Sequence, residues 1–315
     1  AWSGANGAPK MTVFGGKYGN EVYFADVNTL NIATGVWSGP ISTTGEAPSA
    51  RSGHTAVSWR NDTANGAPKM TVFGGEEGSG GVLALADPNV NTLDLTTGVW
   101  SGPINTTGTA PSARSGHTAV SWRDDTVNGA PKMTVFGGRY EGTEEGLLGD
   151  VHILELATGV WILVNTTGAP PSARAGHTAI SWRDNSASEA PKMTIFGGKL
   201  DGAGVLVNTL DLATGMWSGP ISTTGEPPTA RRDHTAVAWT SASGAPKMTI
   251  FGGWLLVGSS SFLGDVHTLK LVTSTWSNPI STTGAAPSAR SGHTAVSWRD
   301  DAANGAPKMT IFGGR

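Results

Sequence analysis

No cysteine occurs among the 315 residues. That absence removes disulfides, thiolate nucleophiles and cysteine-ligated metals together, and it leaves the redox compartment undetermined. Charge is sparse too: Asp, Glu, Lys and Arg supply 14% of residues and sum to −3. A chain so weakly charged has no electrostatic footprint for wrapping nucleic acid or lying on an anionic membrane. No apolar run approaches the ~18 residues of a membrane span, and Ala1-Trp2-Ser3-Gly4 does not read as a signal peptide. A Gly-x-Ser-x-Gly elbow, a P-loop and a His-Glu-x-x-His motif are all missing, so the common hydrolytic and phosphoryl-transfer chemistries have no local signature. Tyrosine is rare, with three residues against twelve tryptophans.

What the chain has instead is a refrain. A Pro-Lys-Met-Thr-(Val/Ile)-Phe-Gly-Gly run returns six times, with its aromatic member at Phe14, Phe73, Phe136, Phe196, Phe251 and Phe312, roughly 55 to 63 residues apart. Each full unit reads as four strands. In the second copy, His54 to Trp59 and Lys69 to Phe73 are two strands joined by a Gly/Asn/Asp-rich turn. Val90 to Leu95 is a third strand and Val99 to Ser101 a fourth, entered through Thr97-Gly98. That Thr-Gly pair recurs at Thr34-Gly35, Thr158-Gly159 and Thr214-Gly215, where glycine supplies the positive φ of a tight turn. The fifth copy has Ser274-Thr275 there and is expected to turn more loosely. One such sheet cannot bury both its faces alone, so neighbouring copies must stack.

A double glycine after an apolar strand, then an Asp-Val pair about ten residues later and a tryptophan about twenty residues after the glycines, resembles the kelch repeat. Gly15-Gly16 with Trp37, Gly74-Gly75 with Trp100, Gly137-Gly138 with Trp161, Gly197-Gly198 with Trp217, and Gly252-Gly253 with Trp276 carry the likeness along the whole chain, as do the Arg-Ser-Gly-His openings. Leucine replaces the tyrosine that such repeats usually carry in strand three. The resemblance implies a single all-β domain over residues 1–315, a kelch-type β-propeller of four-stranded antiparallel blades. Eleven of the twelve tryptophans fall at two repeat positions, the end of strand one and strand four. Each buries on the order of 150–250 Å², worth roughly 4–6 kcal/mol as an upper bound, and the simplest role for all eleven is mortar between blades.

The strand count gives five blades, with six as the alternative. Five are closed by pairing the carboxyl-terminal first strand, His293 to Trp298, with the amino-terminal strands two to four. One second strand, Lys10–Gly16 or Lys308–Gly314, is then surplus, which points to strand exchange between copies and hence to a homo-oligomer.

In an up-and-down meander the strand-two-to-three loops and the strand-four-to-one links emerge on one face. The loops Lys17–Ala25, Glu76–Pro88, Arg139–Gly149, Lys199–Leu206 and Trp254–Gly264 vary while the strands around them scarcely change, and they hold every non-repeated aromatic. Tyr18, Tyr23, Tyr140 and Trp254 are the candidate contact residues, whereas Phe24, Leu147-Leu148 and Phe262-Leu263 are expected to tuck against their blades. Glu76, Glu77, Glu141, Glu144 and Glu145 make the same rim acidic. The links bring up one arginine per blade, Arg51, Arg114, Arg174, Arg231 and Arg290. They form either a guanidinium ring that holds acidic peptide ligands, as the resemblance implies, or braces on backbone carbonyls. Arg232 stands where other units have serine or Ala175. The histidines His54, His117, His177, His234 and His293 are spaced too widely around an axis for a metal and are expected to hydrogen-bond near the turn. Glu145, Asp150 and His152 resemble the iron ligands of plant specifier proteins of this family, but their spacing differs. No cofactor or metal is expected. Asn61, Asn105 and Asn165 are glycosylation acceptors only if the chain is secreted. The reading is a non-enzymatic module that binds a protein or peptide through the loop face. The alternatives are a glycan-binding propeller and a self-assembling building block. Neither nucleic-acid binding nor membrane insertion is expected.

Overall fold

The computed structural model describes residues 2–3, 7–19, 22–60, 66–79, 82–86, 88–124, 129–140, 146–183, 190–199, 206–256, 261–299 and 305–315. Every element among them is a strand. Contacts group the chain into two compact units, residues 1–164 and 165–315.

The first unit holds three antiparallel blades, each with strands in chain order. Blade 1 is Trp2–Ser3, Pro9–Tyr18, Val22–Asn31 and Val36–Ser38. Blade 2 is Thr55–Arg60, Pro68–Phe73, Val90–Asp94 and Val99–Ser101, with an extra hairpin, Glu76–Ser79 and Val82–Leu85, after its second strand. Blade 3 is Thr118–Arg123, Pro131–Arg139, Leu147–Glu155 and Val160–Leu163. The second unit holds blade 4, Thr178–Arg183, Pro191–Phe196, Val207–Asp211 and Met216–Pro220, and blade 5, Thr235–Thr240, Pro246–Leu255, Phe262–Lys270 and Thr275–Trp276. A hairpin of Thr294–Arg299 and Pro307–Phe312 completes it.

Both terminal second strands therefore find a first strand locally. Lys10 faces Trp2, and Lys308 faces Trp298 in the register that the blades repeat. The expected closure needed His293 to Trp298 to lie on the amino-terminal second strand. Each first strand instead pairs with the second strand that follows it in the chain, which closes the shorter loop at the smaller entropic cost.

A fifth strand in blades 2, 3 and 4 was not foreseen. The link leaving blade 1 lays Thr44–Gly45 parallel to Val99–Trp100 of blade 2, and Thr107–Gly108 and Thr167–Gly168 do the same on blades 3 and 4. Glycine is obligatory at the end of these three link strands because a Cβ on Gly45, Gly108 or Gly168 would lie 2.1 Å from the carbonyl oxygen of Trp100, Trp161 or Trp217. The double glycine bulges the second strand, shifting register between Phe136 and Gly138, with φ of 65° and 102° at Gly137 and Gly138. Where blade 5 has no glycine, Ser274 itself takes φ 50°, so the turn keeps its form at some conformational strain.

Tryptophan divides by position. The fourth-strand rings of Trp100, Trp161 and Trp276 are 2% exposed and pack on the phenylalanine of the preceding blade, with centroids 5.4, 5.3 and 5.2 Å from Phe14, Phe73 and Phe196. These are the wedges between blades. First-strand rings are held largely by their own blade: Trp122 Nε1 donates to Thr134 Oγ1 at 2.7 Å, and Lys132 Nζ lies 5.1 Å over the ring. The same pairing recurs from Trp2 with Thr12 to Trp298 with Thr310. Trp37 is 43% exposed, unlike its buried counterparts.

Candidate functional site

The link entering each blade turns its arginine inward. Arg114 accepts from Gly75 N of blade 2 on its carbonyl, 2.8 Å, while its Nη1 donates to the Gly137 carbonyl of blade 3, 3.0 Å. Its Nε and Nη2 return to the Ser112 carbonyl and hydroxyl, so the residue stitches two consecutive blades. Arg51 joins Gly16 to Gly74, Arg231 joins Gly198 to Gly252, and Arg290 joins Gly253 to Gly313. Arg174 reaches Gly197 by the same bond. Exposure is 3% at Arg51 and 0% at Arg114, Arg174 and Arg231. Each of these four guanidinium groups is engaged as a backbone brace, the second of the two roles that the sequence left open.

In blades 3 and 5 the fork also grips a carboxylate. Arg114 meets Asp150 at 2.7 and 2.8 Å, and Arg231 meets Asp265 at 2.6 and 2.8 Å. His152 and His267 stand 2.9 Å from the same aspartates. Burial alone would raise Asp150 and Asp265, but these hydrogen bonds and charges outweigh it and hold both well below the usual carboxylate range. Asp150 and His152 are thereby committed to the brace, and Glu145 lies outside the described residues.

The histidines that open strand one lie between blades. His117 Nε2 is 2.8 Å from Thr55 Oγ1 of the previous blade, and its ring stands edge-on to Phe73. His234 pairs with Thr178, and His293 with Thr235, in the same way. Burial, aided by the neighbouring arginine, lowers His54 and His293 to about 4 and His117 and His234 to about 3, so all four are neutral. Among the described residues no group of three His, Asp or Glu is placed to hold a metal.

The link and the end of the second strand do meet at one end of blades 2 to 5. Ser52 pairs with Glu76, Ser115 with Arg139, Ala175 with Lys199, and Arg231–Arg232 with Trp254–Leu255. There the non-repeated residues emerge. Tyr18 is 77% exposed and Tyr140 43%. Trp254 is half-buried, edge-on to Phe262 at 4.7 Å. Arg232 is half-buried and lies 3.5 Å from Asp233, which takes φ 54° where the other links have glycine. Tyr23 departs from expectation: its hydroxyl is buried without a hydrogen-bond partner among the described residues, and its ring lies against Gly78 of the extra hairpin. In blades 1, 3 and 5 strands two and three stay paired past the double glycine as single long strands, whereas in blade 2 the paired segment is a separate hairpin. Phe24 and Phe262, expected to tuck in, are 41% and 37% exposed.

Nor is the rim simply acidic. Glu76 is buried between Lys17 at 3.0 Å and Arg139 at 3.2 Å; burial pushes it up, yet the two cations pull it below its ordinary value. Glu77 accepts from Ser49. Glu141, Glu144 and Glu145 lie outside the described residues.

A family model described as the KLHDC2/KLHL20/DRC7 Kelch-repeats domain matches residues 4–185 and again 132–315. The chain belongs to the kelch-repeat family. Its fold is accordingly of the all-β propeller class, with five four-stranded blades. Acyl-CoA-binding domain-containing protein 4 of Arabidopsis thaliana is 28% identical over 97% of this chain and 41% of its own length. Rab9 effector protein with kelch motifs of Xenopus laevis is 31% identical over 69% of this chain and 53% of its own. The chain thus spans about half or less of these relatives. Among solved structures, "Structure of YjhT" aligns with a TM-score of 0.54 at 16% identity, covering 95% of this chain and 96% of that one, a likeness of fold.

Proposed function

We propose that this kelch chain is a protein-binding module without chemistry of its own. Its contact surface is the blade ends that carry the strand-two-to-three loops and the incoming links. One observation carries the reading. The repeated polar residues are bound to their own scaffold, whereas the non-repeated Tyr18, Tyr140, Trp254 and Arg232 are left accessible at those ends. Rigid aromatics, which have little rotamer entropy to lose, and arginine with its forked donors are enriched among the side chains that dominate protein interfaces. The Xenopus relative, by its name a Rab9 effector, agrees with a protein partner.

Selection of a displayed random-peptide library on the wild-type chain tests this, with a glycan array run in parallel. Trp254→Ala and Arg232→Ala are each expected to weaken the selected peptides about tenfold or more, a hot-spot-sized loss. Met216→Ala, on an outer strand and 54% exposed, is expected to leave them unchanged. Peptide binding indifferent to both rim variants overturns the reading. Glycan binding that Trp254→Ala abolishes replaces it with the carbohydrate alternative.

A further inference from the structure

Blades 3, 4 and 5 share one brace but not one complement. Ser172 and Gly197 receive the Arg174 guanidinium as Ser112 and Gly137 receive Arg114, with distances of 3.0, 3.0 and 3.2 Å in both cases. The aspartate is missing. Val207 faces Phe196 as Val151 faces Phe136 and Val266 faces Phe251, so the residue just before it, Leu206, holds the place of Asp150 and Asp265. Arg174 is 0% exposed and has no carboxylate among the described residues. A buried guanidinium without its counterion is the costly half of a broken ion pair. Burial accordingly lowers Arg174 to about 10.

A second polar group stands two residues after Leu206. Asn208 faces Ile195 as His152 faces Val135 and His267 faces Ile250, and in blades 3 and 5 the histidine at this place bonds the aspartate. Asn208 is 0% exposed, and neither its Nδ2 nor its Oδ1 has a hydrogen-bond partner among the described residues. An unsatisfied buried amide costs on the order of 1–3 kcal/mol. In the sister blades the corresponding position is reachable from solvent, since the Asp150 and Asp265 side chains are 31% and 33% exposed.

We infer that blade 4 carries a carboxylate-binding site in which the Arg174 fork takes both oxygens and the Asn208 amide donates to one, completing from outside the brace that blades 3 and 5 complete with aspartate. The ligand is a small carboxylate group, either a free anion or the carboxylate of a peptide. This inference uses none of the residues on which the proposed peptide surface rests, so either can fail alone.

Thermal unfolding in formate, acetate, N-acetylglycine and N-acetylglycinamide, at ionic strength matched with chloride, reads it out. The wild-type midpoint is expected to rise by several degrees in a saturable way with the three carboxylates and not with the amide. A larger rise with N-acetylglycine than with formate assigns the site to peptide carboxylates, and the reverse order to free anions. Leu206→Asp supplies the carboxylate internally, so it is expected to raise the midpoint without any additive and to abolish the carboxylate response. Should that variant not fold, line broadening of 13C-formate by wild-type protein, reduced at least threefold in Asn208→Leu, gives the same reading. Equal carboxylate responses in wild type and Leu206→Asp, or broadening unchanged in Asn208→Leu, overturn the inference.

Discussion

At the scale of single residues, the arginines show what a repeated side chain does for the scaffold. A residue present in every blade serves what every blade needs, and here that is two carbonyl bonds across a junction. The sequence left Arg114 open between ligand contact and backbone brace. The choice depends on which way the side chain turns, and nothing in a linear motif encodes that. Arg232 was singled out because it breaks the repeat, and it is among the residues left at the surface. Replacing Arg114 by alanine strands Asp150 and two carbonyls, an uncompensated buried charge expected to cost about 3–5 kcal/mol in urea unfolding. Arg290→Ala removes bonds that are exposed to solvent and is expected to cost less than about 1 kcal/mol. Equal losses in the two variants would show that burial does not govern the brace.

Strands one to four of each blade were legible, because alternation, the double glycine and the turn residues are local signals. The Thr-Gly link strand was not, since two residues pairing in parallel with a distant strand leave no periodicity of their own. Its only trace was a Thr-Thr-Gly repeated without evident need, which the close approach of Gly108 to the Trp161 carbonyl now explains. The junctions between blades are where pH acts. His54, His117, His234 and His293 are held at about 4, 3, 3 and 4 in the folded chain, against roughly 6.5 when unfolded. Between those values the unfolded state binds more protons, so stability is complete above about pH 6.5 and falls as the solution is acidified. Each histidine contributes about 1.4 kcal/mol per pH unit, and four together about 5. Urea midpoints are expected to be level from about pH 8 to 7 and to drop steeply by about pH 5, whereas a midpoint unchanged down to about pH 5 would mean that these rings are protonated in the fold.

For the whole molecule, the account separates a repeated scaffold from a non-repeated rim. Repetition made the kelch family readable from sequence, and the same repetition hid the blade ends, where Tyr23 lies against Gly78 of the next blade's hairpin. The rim claim is met most directly by site-specific photocrosslinking in an extract of the native source. Benzoylphenylalanine is placed at Tyr18, Tyr140 or Trp254, and for comparison at the outer-strand positions Val99 and Met216, which are 44% and 54% exposed. The account predicts discrete protein adducts from the three rim positions and none from the two outer ones. Adducts from Val99 or Met216 with none from the rim would contradict it.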